Sequence, residues 1–319
     1  MSHRILVTGG AGAIGSILVN RLLEDPDNEI IVLDDLSSGH LENLPLSTRI
    51  RFIQGRVDSE EDLDRVFEAP VEDIYHLAAN FANQNSVDFP QRDLQVNGMG
   101  TLKLLQRATE HKLRRLIYAS SSCVYGHRVE PLSETLREFS LDTPYAITKL
   151  LGEHYMHFFH RHHSLPIVIL RFFNVYGPNE RPGRYRNVIA NFLFKAMRGE
   201  TITITGTGEE TRDFNFVEDT VRAILMAARS ESSVGHVFNI ASGRETKILD
   251  MVRMILDITG SHSRTVFAPK RDWDSVLRRV ANVGKARKIL GYQAEICLEE
   301  GLARYRDWLI KQDERTFAW

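Results

Sequence analysis

Residues 118–126 read YASSSCVYG and residues 142–149 read DTPYAITK, two stretches whose side chains can hold and move protons. In the first, Ser120, Ser121 and Ser122 run into Cys123, so hydroxyls able to bond a reacting oxygen stand beside a thiol. A thiol becomes an acid/base group once a nearby cation or a helix N-terminus lowers its pKa. Spacing alone does not choose among the three serines. In the second stretch Tyr145 and Lys149 are four apart, behind Thr143, a suitable N-cap, and Pro144, suited to the first helical position. Residues i and i+4 share a helix face, so phenol and ammonium serve one site. A phenol with a pKa near 10 is a poor base at neutral pH. Neighbouring positive charge favours the phenolate, and a depression of about 3 units requires roughly 4 kcal/mol.

A cofactor loop gives these groups a partner. VTGGAGAIG places Gly9, Gly12 and Gly15 between a strand and a helix. Glycine serves a tight turn, the close approach of backbone to pyrophosphate, and helix-on-strand packing. The N–H groups and positive end of the helix that follows hold phosphate. Asp34 closes the second strand about 20 residues on, where a carboxylate bonds the adenosine ribose hydroxyls. That carboxylate repels a 2′-phosphate, and no Arg or Lys follows in DDLSSGH, so NAD is expected over NADP. Asp35 reads as a turn residue. Tyr145 and Lys149 can then both reach the cofactor ribose.

These residues need a scaffold. Short apolar runs recur at 5–9, 30–34, 51–55, 74–78, 116–120 and 167–171, with helical patterns between them, including 12–25 and 97–112. Runs this apolar predict strands buried on both faces, and the alternation predicts βαβ units in a doubly wound parallel sheet. After Arg171 turn formers gather in NVYGPNERPGR, and the tail from about residue 244 reads as mostly helical. The expectation is an NAD-binding Rossmann domain over 1–172, to which 216–243 returns. A smaller mixed lobe is expected from 173–215 and 244–319.

Composition excludes other classes. The 319 residues are 43% apolar, with a formal net charge of -2, which shows no basic footprint for nucleic acid. Two distant cysteines, Cys123 and Cys297, form no disulfide framework and fit a reducing compartment. No apolar run approaches the length of a membrane span, and MSHR leads straight into ILVTGG without room for a signal peptide, so a cytoplasmic protein is expected. In HYMHFFHRHH, His157 and His160 share a helix face, but no carboxylate or cysteine completes a metal set, and no metal is expected. Trp273, Trp308 and Trp319 read as packing residues.

Together, TGGAGAIG, LDDLSSG, HLAA (76–79), SSSCVYG, YAITK, RFFNVYGP (171–178), RDFNFVED (212–219) and KARKILGY (285–292) resemble the NAD-dependent nucleotide-sugar epimerase/dehydratase family, the extended short-chain dehydrogenases/reductases. The pattern is nearest to the UDP-sugar 4-epimerases. The resemblance makes Ser121 the catalytic hydroxyl and implies Tyr145 as base with Lys149 beside it. It places Ala13, Ile14, Val57, Leu77, Ala78 and Ala79 against the cofactor. For a nucleotide-diphosphate sugar it implies contacts from Ser122, Asn174, Asn187 and Val188, from Arg212 with Arg271 at the diphosphate, and from Asp274 at the ribose. It also implies a homodimer through the helices at 97–112 and 145–163.

Two departures stand out. The family has Gly-Asp-hydrophobe after the third strand, the Asp accepting the adenine amino group, whereas IQGRVD offers Arg56 there. The family's dehydratases carry Asp-Glu after the catalytic hydroxyl, where this chain has Ser122 and Cys123. Lacking those carboxylates, 4,6-dehydration is disfavoured and 4-epimerisation through a 4-keto sugar is expected. C3/C5 epimerisation remains an alternative, since some relatives use a cysteine at the place of Cys123. A non-catalytic NAD-binding regulator would have no use for Ser121, Tyr145 and Lys149 together. Position two after Ser121, by strand alternation, should turn Cys123 to the same face as that hydroxyl.

Overall fold

The structure, a computed structural model, describes residues 3–136 and 139–312. The first half alternates: β1 (His3–Thr8), α1 (Ala13–Leu22), β2 (Asn28–Asp34), β3 (Ile50–Gln54), α2 (Glu60–Phe67), β4 (Asp73–His76), α3 (Asn83–Asp88), α4 (Pro90–Asp93), α5 (Gly100–Ala108), β5 (Arg115–Ser121), α6 (Pro144–His163) and β6 (Ile167–Phe172). The second half continues with β7 (Val175–Tyr176), α7 (Val188–Met197), β8 (Ile202–Thr205), β9 (Thr211–Arg212), β10 (Asn215–Phe216), α8 (Val217–Arg229) and β11 (Val237–Ile240). It closes with β12 (Thr246–Lys247), α9 (Ile248–Thr259), β13 (Thr265–Ala268), α10 (Gly284–Leu290) and α11 (Leu298–Ile310). No described helix is long and apolar enough to cross a membrane.

Seven strands form one parallel sheet in the order β11-β6-β5-β4-β1-β2-β3. β5 and β6 are buried along their whole length, as expected for strands covered on both faces. One apolar cluster joins the sheet to α1, α8 and α10; a second, on the other face, joins it to α2, α5 and α6. The order reverses between β1 and β4, and ligands of such sheets bind outside the carboxyl ends of the strands at that point. A third cluster packs α7, α9 and α11 around β8 and β10.

Two expectations from periodicity are corrected. The helix expected over 97–112 begins earlier and is irregular: α4 runs into a π-helical stretch over Leu94–Met99 before α5. Within it the Asn97 amide accepts from the Asn80 backbone N–H at 2.8 Å and donates to Asp93 at 2.9 Å, polar anchoring that an apolar pattern does not report. The tail is less helical than expected, since β13 pairs in parallel with β8 from Thr265↔Ile202 to Ala268↔Thr205. Four residues are too few to announce a strand by alternation.

Candidate active site

A cleft of about 360 Å³ opens at the carboxyl ends of the strands, between the sheet and the later elements. Its floor is the glycine loop. Gly9 holds φ +72°, and a Cβ there would meet the Ala78 backbone nitrogen at 2.7 Å. A Cβ on Gly15 would overlap the Gly9 carbonyl oxygen, so the loop and α1 pack only as glycine. Gly9, Gly12, Ala13, Ile14 and Gly15 all line the cleft, as do Val57, Leu77, Ala78 and Ala79. The Asp34 carboxylate accepts the Ala11 and Leu36 backbone N–H groups, each at 2.9 Å, which fixes it beside the loop. Burial raises its pKa, and those two bonds oppose the rise. Asp35 accepts from the Ser37 N–H at 2.9 Å, the turn role its position suggested. These residues fit a dinucleotide: backbone for pyrophosphate and a fixed carboxylate for ribose.

Where the resemblance has a single Asp after the third strand, the structure has an ion pair. Arg56 reaches both oxygens of Asp58, Nε to Oδ1 at 3.0 Å and Nη2 to Oδ2 at 2.6 Å. Its guanidinium is therefore already matched by a carboxylate in the chain, which weakens it as a receptor for a 2′-phosphate.

The proton-handling groups lie where β5 ends. Ser121 is its last residue, and the next four, Ser122–Tyr125, wind into a 3-10 turn capped by the Ser121 hydroxyl oxygen, which accepts the Cys123 N–H at 3.2 Å. The strand-alternation reasoning for Cys123 therefore fails, because Cys123 is no longer on the strand. It still lines the cleft, delivered by the turn. The structure separates the three serines: Ser120 is buried and donates to Glu153 at 2.5 Å, Ser122 lines the cleft wall, and Ser121 lines the cleft together with Tyr145. Thr143 caps α6 by accepting the Ala146 N–H at 3.3 Å, with Pro144 at the first position. The α6 start is thus set, and Tyr145 and Lys149, one turn apart, line the cleft with Ser121.

Burial dominates the surroundings of Tyr145. Burial raises the phenol well above its ordinary pKa, with further raising from Cys123 and other groups, against a smaller lowering influence of Ser121. Lys149 stands nearby, its Nζ donating to the Ala119 carbonyl at 2.9 Å and lying 5.7 Å from the centre of the phenol ring, where its charge favours the phenolate. Burial lowers Lys149 itself to about 8, against the raising charges of Asp93 and Glu153. Burial thus favours the neutral phenol, and positive charge beside it acts in the opposite direction.

Toward the later elements, Asn174, Asn187, Arg212 and Asp274 line the cleft. Asn174, in the left-handed region at φ +31°, donates to the Asp213 carbonyl at 3.0 Å; Asn187 donates to the Val175 carbonyl at 2.8 Å. Arg212 and Asp274 approach to 3.8 Å. Two residues implied by the resemblance lie elsewhere. Arg271 is exposed, with its guanidinium over the Trp273 ring at 5.6 Å, and Val188, at the start of α7, is 40% exposed and outside the lining. Conversely, Trp273 does line the cleft, its indole N–H donating to Gln84 at 3.1 Å, so it is not a mere packing residue. Trp308 packs near Tyr305, His160 Nδ1 bonds the Leu165 carbonyl at 2.7 Å, and Trp319 lies outside the described residues. Sequence reasoning gave no role to Asn83, Asp58 and Arg279, which line the cleft.

Comparison with known proteins agrees with this geometry. Residues 5–241 match the family described as the NAD dependent epimerase/dehydratase family. A UDP-glucose 4-epimerase of Mycolicibacterium smegmatis is 35% identical over 94% of this chain and 96% of its own. The crystal structure of UDP-glucose 4-epimerase with UDP-glucose from Thermotoga maritima superposes with a TM-score of 0.91 at 36% identity, covering 97% of this chain and 99% of that one. The UDP-glucuronic acid 4-epimerase of Bacillus cereus, in complex with UDP-glucuronic acid and NAD, gives 0.89 at 32% identity over 97% and 99%. With the glycine cradle, the Asp34 anchor and the Ser121–Tyr145–Lys149 group in place, the chain belongs to the NAD dependent epimerase/dehydratase family.

Proposed function

We propose that the protein is an NAD-dependent nucleotide-sugar 4-epimerase working through a transient 4-keto sugar. The observation that carries this reading is that Ser121, Tyr145 and Lys149 line one cleft with the glycine loop, with Lys149 one turn beyond Tyr145 on the same helix. Tyr145 takes the proton of the sugar C4 hydroxyl and later returns it, while Ser121 holds the same oxygen. Lys149 fixes the cofactor ribose. When bound, NAD supplies a hydride acceptor and donor for C4 and a positive nicotinamide charge that favours the Tyr145 phenolate. Arg212 and Asn187 serve the diphosphate end, so anchoring energy holds the nucleotide and leaves the sugar free to turn. The UDP-sugars of the relatives make UDP the nucleotide to test first.

Cys123 keeps a second reading open. Its sulfur receives the Asn83 amide and the Arg279 guanidinium, each at 3.5 Å, a setting in which a thiol could serve C3/C5 epimerisation. Incubation with a panel of UDP-sugars, read by mass spectrometry and by stereochemical analysis, separates the routes. Unchanged mass with inversion at C4, on enzyme that co-purifies with NAD, is the expected result. Loss of water indicates dehydration, and deuterium uptake at C3 or C5 indicates the cysteine route.

The assembly we propose is a homodimer in the cytoplasm. Leu94, Met99, Ile147 and Phe158 expose between 39% and 51% of their surface, and Leu102, Tyr155 and Phe158 line part of a depression bridging α5 and α6. A second copy laid on this face buries it. Both cysteines are free, which supports a reducing setting. Phe158→Asp is expected to convert the dimer to monomer in analytical ultracentrifugation; an unchanged sedimentation coefficient would place the interface elsewhere.

A further inference from the structure

Arg279 enters the cleft from the segment before α10, where its backbone N–H donates to the Thr211 carbonyl at 3.2 Å and holds it alongside β9. The residue is only 7% exposed. Its Nη2 donates to the Gly126 carbonyl at 3.3 Å and its Nη1 approaches the Cys123 sulfur at 3.5 Å, while Nε is buried with no partner. Among the described residues no carboxylate pairs with it. A buried guanidinium without a counter-charge is costly, because desolvation is not repaid by a thiol and a carbonyl.

The neighbouring arginine does not help. Arg212 has only the loose 3.8 Å approach to Asp274 and donates otherwise to the Thr211 and Val276 carbonyls. Burial, and next the charge of Arg279, push Arg212 down to about 10, as expected of two guanidiniums sharing too little negative charge. The position of Arg279 says where the missing anion belongs. It touches Cys123, two residues beyond Ser121, so it opens onto the reacting end of the cleft and not onto the adenosine end beside Asp34. Asn83 aims its amide at the same sulfur, so the donors there converge without an acidic acceptor.

We infer that the sugar handled here carries a carboxylate, as in a nucleotide-diphosphate hexuronate, and that Arg279 is the residue that receives it and sets the preference over neutral hexoses. The inference rests on the 4-epimerase reading of the same site. A guanidinium presents parallel N–H donors that match a carboxylate's two oxygens, with charge as well as geometry. A neutral hexose would leave the buried guanidinium without a counter-charge, and leaving a buried charge unmatched is what generates strong discrimination.

The test compares UDP-glucuronate and UDP-galacturonate with UDP-glucose and UDP-galactose on the NAD-bound enzyme, by turnover and by calorimetric binding. The wild type is expected to favour the uronates by about 100-fold in kcat/KM, the scale of a charged hydrogen bond lost from a buried site. In Arg279→Met that ratio should collapse toward one, and Arg279→Lys should keep part of it, since the charge remains and the fork is lost. A wild type that prefers the neutral hexoses overturns the inference. So does Arg279→Met lowering both substrate classes alike, which would make Arg279 a diphosphate ligand. Binding decides the matter independently of turnover: a uronate bound no tighter than its hexose rules out the carboxylate site even if 4-epimerisation is confirmed. Tight uronate binding without any 4-epimer product would instead retain the Arg279 site and remove the reaction.

Discussion

Replacing Tyr145 by phenylalanine should lower turnover by about 100-fold or more while leaving the fold and NAD binding nearly unchanged, because it removes one oxygen and a general base is worth roughly that factor. The structure makes the loss specific. The phenol oxygen lines the cleft with Ser121, whereas the ring is held by contacts the substitution keeps: its edge-on packing with Phe81 at 6.2 Å and the bond from its backbone N–H to the Ser86 hydroxyl at 3.1 Å. Burial already holds the phenol in its protonated form, so no stabilising charge is lost with it. Product assays should show the deficit in kcat, with dinucleotide content after purification equal to the wild type. Near-normal turnover in Tyr145→Phe would mean that another group takes the C4 proton, and the reading of α6 as the base-bearing helix would have to be given up.

The largest stability change should come from beneath the site. Glu153 and Arg171 pair in the interior, Nε to Oε1 at 2.8 Å and Nη2 to Oε2 at 2.6 Å, and Ser120 adds its hydroxyl to the same carboxylate. Their side chains are 4% and 5% exposed. The pair ties α6 to β6, and through Ser120 to β5, which is how the helix carrying Tyr145 is kept in register with the strand carrying Ser121. Glu153→Ala leaves the guanidinium buried and uncompensated, and removing one partner of a buried pair costs about 3–5 kcal/mol. At about 2–4 °C per kcal/mol, the melting temperature should fall by roughly 10 °C. The double substitution Glu153→Met with Arg171→Met removes both charges, and should recover much of the loss in calorimetry. A double variant less stable than Glu153→Ala would show that the pair is favourable in itself and not merely costly to break.

These two expectations draw on different sources of information. The parallel sheet was legible in the chain because strands buried on both faces must be continuously apolar, and β5 and β6 are. The phosphate loop was legible because backbone geometry at Gly9 and Gly15 admits no side chain, so the constraint is written in residue type. Tyr145 and Lys149 were legible because their relation is local: a cap at Thr143, a proline, and one helical turn. Local constraints of this kind need no knowledge of the rest of the fold.

What only the tertiary structure decided are the relations between distant segments. Ser120 and Ser121 are neighbours of the same type, and nothing in their spacing says that one meets Glu153 and the other lines the cleft with Tyr145; the end of β5 and its 3-10 turn decide it. The short strand β13 was hidden because four residues carry too little periodicity, and the π-helical stretch because its cause is the polar network of Asn97. Arg56 looked like a gap in the adenine site until Asp58 was seen to hold it. Arg271 and Arg279 stand eight positions apart in a segment without regular structure, and which of two arginines enters a cleft depends on the path of the backbone. The chain turns Arg271 onto Trp273 at the surface and buries Arg279 against Cys123, 156 residues away in sequence. Sequence therefore determined the chemistry available, through local backbone and helix geometry. The tertiary structure determined which charges meet, because burial and pairing are properties of the folded chain.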